Sequence, residues 1–83
     1  MSPTMSTHEN LTRHLSATKS GDVVRLVRID AGRGLKSRLA AMGLATDTEI
    51  RVVSNGHPGP FVLIVKDAKV VLGRGVAQKV VVR

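Results

Sequence analysis

One stretch of this chain is written for a helix, and most of the rest is written for strands. Residues 32–44 place Leu35, Leu39 and Met42 at i, i+4 and i+7, which stacks them on one helical face while Lys36, Ser37 and Arg38 look outward. Gly43 supplies a left-handed stop. The blocks on either side are Val, Ile and Leu in short runs parted by turn formers. The pattern predicts a small β domain with a single short helix between its first two strands.

The strands follow from alternation. Residues 23–29 form the first, with Val23, Val27 and Ile29 on one face and Val24 and Leu26 on the other. Residues 48–53 form the second, and Asn55-Gly56-His57-Pro58-Gly59-Pro60 turns the chain back. The third, 61–66, alternates Phe61, Leu63 and Val65 with Val62 and Ile64. Lys66-Asp67-Ala68-Lys69 is a tight turn into a fourth strand at 70–72; one 3₁₀ turn over 73–78 precedes a fifth at 79–83. Residues 1–14 read as a disordered polar tail, with Leu11 and Leu15 anchoring a short helical turn ahead of Lys19-Ser20-Gly21-Asp22, so that the domain occupies 15–83. Short links between neighbours rule out a parallel sheet, which needs a helical crossover at most connections. The fold class expected is all-β: a small, partly open SH3-like barrel of about five antiparallel strands.

Composition narrows the function. A chain of 83 residues buries only about 60% of the surface its unfolded form exposes, so its core is marginal and oligomerisation would help it. Cysteine is absent, which removes disulfides and thiolate metal sites. The first ten residues lack the apolar centre of a signal peptide and no run of eighteen apolar residues occurs, pointing to the cytoplasm. Thirteen Lys and Arg against six Asp and Glu give a net charge of +7, which suits an anionic partner. The only aromatic residue is Phe61, too little for base stacking; any nucleic-acid contact would be through phosphates, without base readout.

The strand ending at Ile29, the helical run 34–44, the Gly59-Pro60 lead into the third strand, and Val71-Leu72-Gly73-Arg74-Gly75-Val76-Ala77 followed by Val80, Val81 and Val82, taken in that order, together resemble the FeoA family of ferrous iron transport proteins. The resemblance spans about 15–83. Three turn positions depart from the family's pattern: Thr46-Asp47 where relatives carry Pro-Gly, Ser20 where they carry Pro, and Asp67-Ala68 where Gly is common. The resemblance implies a small, non-enzymatic, cytoplasmic SH3-like barrel. It would work beside the membrane transporter FeoB by binding its cytoplasmic part. Alternatives from other classes are a basic small-barrel nucleic-acid binder and a detached regulatory module of a metal-dependent repressor.

Candidate chemistry is sparse. Gly32-Arg33-Gly34 and Gly73-Arg74-Gly75 invite a phosphate cradle, but neither has the third Gly of a dinucleotide fingerprint nor the Gly-Lys-Ser/Thr of a P-loop; glycines there read as freedom for strand-to-helix junctions. His8, His14 and His57 are too scattered to hold one ion, so no metal site or cofactor is expected. Ser37, Ser54, His57 and Asp67 lie on separate segments and do not make a triad, so no catalytic site is expected either. The informative surplus is hydrophobic, because the first, third and last strands are apolar on both faces. The helix is expected to cover part of the outer surface through Leu35, Leu39 and Met42. The remainder would form a patch for a partner or a second copy, with Arg33, Lys36, Arg38 and Arg74 at its rim.

Overall fold

In a computed structural model that describes residues 11–56 and 59–83, the apolar blocks become strands β1 (Arg13–His14), β2 (Val23–Ile29), β3 (Glu49–Ser54), β4 (Phe61–Val65), β5 (Ala68–Leu72) and β6 (Val80–Val82). Helix α1 (Arg33–Ala41) joins β2 to β3, and a single α-helical turn, α2 (Arg74–Ala77), joins β5 to β6. Every pairing is antiparallel and the sheet order is β1-β6-β2-β3-β4-β5, the curled sheet expected from the short links. Inside it Leu15, Leu26, Ile50, Phe61, Leu63 and Val80 are fully buried, with Leu39 and Leu44 reaching in from α1 and its exit.

Six strands stand where about five were expected. Arg13 and His14 pair with Val82 and Val81, so they belong to the sheet and not to a tail ending at residue 14. Neither residue is apolar, and two-residue strands carry no alternation to read. The polar tail over residues 1–10 lies outside the described residues. Leu15 does anchor a 3₁₀ turn, Leu15–Ala17, and is fully buried, whereas Leu11 is exposed. The link at Arg74–Ala77 is α-helical because Ala77 N donates to Gly73 O and Gln78 N to Arg74 O; only the following Lys79 N, which donates to Val76 O, closes in 3₁₀ fashion.

Helix α1 is shorter than the predicted 32–44. Leu44 N donates to Leu39 O and Gly43 N to Ala40 O, the paired bonds of a Schellman stop with Gly43 at φ 96°, which ends the helix at Ala41. Leu44 is thereby swung into the core.

Two β-bulges explain where simple alternation fails. The β2–β6 register slips between Leu26 and Arg28, so Val27 is the extra residue and the parity reverses beyond it. Ile29 therefore packs against the core instead of sharing an outer face with Val23. The β3–β4 register slips between Val52 and Ser54, leaving Val53 half exposed. In β6 all three valines are buried: Val80 and Val82 join the core, while Val81 lies in register between His14 of β1 and Arg28 of β2 on the other side. That strand lies inside the sheet, so both its edges are paired.

The turn before β3 is pinned from outside. Asp47 adopts φ 70°, its backbone oxygen accepts from Arg25 Nη1 at 2.8 Å, and its carboxylate accepts from Arg83 Nη2 at 2.6 Å. Arg25 and Arg83 also exchange backbone hydrogen bonds, of 3.0 and 2.9 Å.

Candidate docking surface

Helix α1 stands on one buried anchor. Leu39 is 2% exposed within the core and Leu35 packs partly against it, so the helix plugs the interior with that face and does not lie over the outer sheet. This corrects the expected lid of Leu35, Leu39 and Met42. The physical reason is the short connections, three residues from β2 to α1 (30–32) and seven from α1 to β3 (42–48), together with Leu44, which draws the helix exit inward. Met42, at the C-cap, is 40% exposed.

The opposite face is polar and basic. Arg33, Lys36 and Arg38 are exposed, and their side chains enter no hydrogen bond or ion pair with the described residues. At about 100° per residue, Arg33 and Lys36 stand about 60° apart, while Arg38 lies about 140° round from Arg33, on Met42's side. Arg33, Lys36, Ser37, Ala40 and Ala31 line one shallow depression. No acidic residue occurs between Asp30 and Asp47, and α1 has no acid in its first turn and no side-chain cap at Gly32. The local field is therefore uniformly positive, with the helix N-terminus adding to it.

Of the seven residues expected at a partner surface, Arg33 and Lys36 converge on one side of α1, Arg38 and Met42 stand on another, and Leu35 is half buried. Leu39 lies inside the core. Arg74 is remote in role: its guanidinium donates to Gly56 O and sits 5.9 Å from the Phe61 ring centre, holding the β3–β4 loop against β4. Gly32 and Gly73 have φ of −69° and −67°, which any residue adopts, so the glycines flanking Arg33 and Arg74 are not required by the junctions. Ser37 lies on α1, Ser54 at the end of β3 and Asp67 in the β4–β5 turn, so these three are not brought together. His14 is exposed on β1; His8 and His57 lie outside the described residues. Among the described residues no cluster of three His, Asp or Glu could hold a metal ion, and no helix is long and apolar enough to cross a membrane.

What the sequence analysis did not single out is the outer face of β2–β5. Val23, Arg51, Ile64 and Lys69 form one cross-strand row, and Val53 with Ser54, Val62 and Val71 the next. Val23, Val53 and Val71 are 56%, 50% and 50% exposed. The second face of the third strand, Val62 and Ile64, carried the signal for an apolar patch, but the expected patch was placed beside the helix and not on these strands.

A small antiparallel SH3-like barrel with a basic plug helix is the class that these features define. The FeoA domain family matches residues 13–83. A Methanocaldococcus jannaschii protein whose name assigns it to Fe(2+) transport, as transport protein A, is 35% identical over 68 residues, which is 82% of each chain. Among solved structures, an iron uptake regulatory protein (FeoA) is similar at TM-score 0.80 and 30% identity over 88% of this chain and 96% of that one. A manganese-dependent transcriptional repressor is similar at TM-score 0.78 and 30% identity over 87% of this chain, which spans 41% of the repressor. The FeoA protein of Chlorobium tepidum shares the fold at TM-score 0.79 and 22% identity, over 86% of this chain and 69% of that one. The chain belongs to the FeoA domain family, which is related to ferrous iron transport.

Proposed function

We propose that this chain is a non-enzymatic accessory protein of ferrous iron uptake that sits in the cytoplasm, binds the cytoplasmic part of the membrane transporter FeoB and adjusts its activity. Family membership supports the iron-transport setting. The observation that carries the docking is the uncompensated charge of α1: Arg33, Lys36 and Arg38 are exposed, with no acid between Asp30 and Asp47. Such a surface steers and orients an acidic partner.

The test is binding of purified chain to full-length FeoB in lipid nanodiscs, comparing wild type with the triple variant R33E/K36E/R38E. These side chains are exposed, so circular dichroism should show an unchanged fold. The association rate is expected to fall at least about tenfold and to lose most of its salt dependence. An unchanged rate with the fold intact would remove α1 from the interface, and no binding by wild type would overturn the proposal.

A second reading, a regulatory module acting on a metal-dependent repressor, is favoured by the likeness to the manganese-dependent repressor. It predicts binding to such a repressor and none to the transporter.

A further inference from the structure

The β4–β5 hairpin leaves one backbone edge open. Lys66 and Asp67 have φ of 51° and 66°, the two left-handed residues of a type I′ turn, and the register runs from Val65↔Ala68 to Phe61↔Leu72. In a two-residue hairpin the pair flanking the turn is hydrogen bonded and the pairs then alternate. Ala68, Val70 and Leu72 thus bond to β4, while the N–H and C=O groups of Lys69 and Val71 point away from it. Strand β5 ends the sheet order, and no backbone bond joins it to another described element. It carries no proline and no bulge, the usual protections of an exposed edge, and only Lys69 as a charge.

The side chains at this edge say what would fit. Lys69 and Val71 are both exposed on the outer face, two residues apart. Behind Val71 lie Val62 and Val53; behind Lys69 lie Ile64 and Arg51. Arg51, Lys66 and Lys69 have no ion-pair partner among the described residues; Glu49 and Asp67 line one depression with Arg51, Lys66 and Ile64, whose partner on β5 is Lys69, so the three cations of this region outnumber the two carboxylates, and neither carboxylate lies beside the valine row. A second copy of the chain would bring Lys69 and another net charge of +7 to the same edge, so self-pairing is opposed.

We propose that β5 accepts an extended segment of an acidic protein partner as an added antiparallel strand, with a carboxylate opposite or beside Lys69 and an apolar side chain over Val71 and Val62. Backbone pairing supplies affinity, and the alternation of charge and apolar surface supplies selectivity. This site is separate from α1 and stands whether or not the transporter is the partner.

The test is a ¹⁵N-resolved titration of the full chain with a capped heptapeptide, Thr-Thr-Val-Thr-Glu-Thr-Thr, whose Val and Glu share one face two residues apart, and with the same peptide N-methylated at alternate residues to block one edge. The expected result is saturable shifts at Lys69 and Val71 amides, a Kd tighter than 1 mM, on the order of the weak end of measured affinities, and loss of at least about tenfold on N-methylation. Val71→Pro removes an N–H that β4 does not use, and should also abolish binding. Lys69→Glu provides an arm independent of any disturbance of the strand by proline: it should weaken the acidic peptide and strengthen its Lys-for-Glu counterpart. Shifts confined to α1, indifference to N-methylation, or no binding at all would each overturn the proposal. Concentration-dependent dimerisation lost in Val71→Pro would overturn the acidic occupant and assign the edge to a second copy.

Discussion

Replacing Gly56 by alanine should cost more stability than any other single methyl added at a glycine of this chain. Gly56 is buried at the end of β3 with φ 71°, and a Cβ there would stand 2.9 Å from both the carbonyl carbon and oxygen of Pro60, and closer still to Gly59 O. All three are backbone atoms, so the loop itself has to move. Gly21 is the control: its φ of 94° is farther from what alanine tolerates, yet nothing lies within 4 Å of its Cβ position. Backbone strain alone is worth about 1–2 kcal/mol at such positions. Overpacking adds about 1–3 kcal/mol. Displacing the loop also loosens the charged hydrogen bond from Arg74 to Gly56 O, a class worth about 1.5–3 kcal/mol. Gly56→Ala should thus lose about 3–6 kcal/mol against about 1–2 for Gly21→Ala. A domain this size has about 4–12 kcal/mol in all. Urea unfolding followed by far-ultraviolet circular dichroism measures both. If dihedral strain alone governed, Gly21→Ala would be the worse variant, and finding it so would refute the close-approach argument.

Two further outcomes follow from the same structure. Arg74→Ala should cost about 1–3 kcal/mol in the same urea assay through the lost contacts to Gly56 O and the Phe61 ring, while leaving the association rate with an acidic partner within twofold, on the order of what a charge outside an interface contributes; a large rate loss would return Arg74 to the docking surface. Lys66→Asn with Asp67→Gly gives the type I′ turn its preferred residues and should raise stability by about 1 kcal/mol, seen as a higher urea midpoint at unchanged slope.

Much of the fold was legible because period two and period 3.6 each leave a distinct mark. Phe61, Leu63 and Val65 alternate without interruption and all three are buried. Leu35 and Leu39 share a helical face, and Gly43 stops the helix as its position suggests. What the sequence did not show is where the period breaks. Val27 and Val53 look like ordinary strand valines, yet each is the odd residue of a bulge, and only the partner strand's register reveals it. Arg13 and His14 were invisible for a related reason: their place in the sheet is set by Val81 and Val82, some seventy residues on, with no local preference of their own.

The candidate site shows the same division between local and non-local information. The positive charge of α1 is a local property, so Arg33, Lys36 and Arg38 could be named in advance. Whether an apolar residue faces solvent is settled by what packs behind it. Leu39 and Met42 sit three apart, but one is 2% and the other 40% exposed, since the Schellman turn ends the helix between the core and the surface. The hydrophobic surplus was real and its location was not where the helix pattern put it. Bulges turned Ile29 inward, β1 and β2 flanked Val81, and what remained outside was the valine row of β3, β4 and β5. That row runs up to β5, an edge strand whose outer backbone pairs with no other described element, so the apolar side chains and the open hydrogen-bonding groups coincide. A lone valine on a sheet face is ordinary. A valine row that ends on an open edge gives a passing strand both backbone partners and a surface to bury, and it is this coincidence, more than the count of exposed valines, that distinguishes β5 from the rest of the barrel.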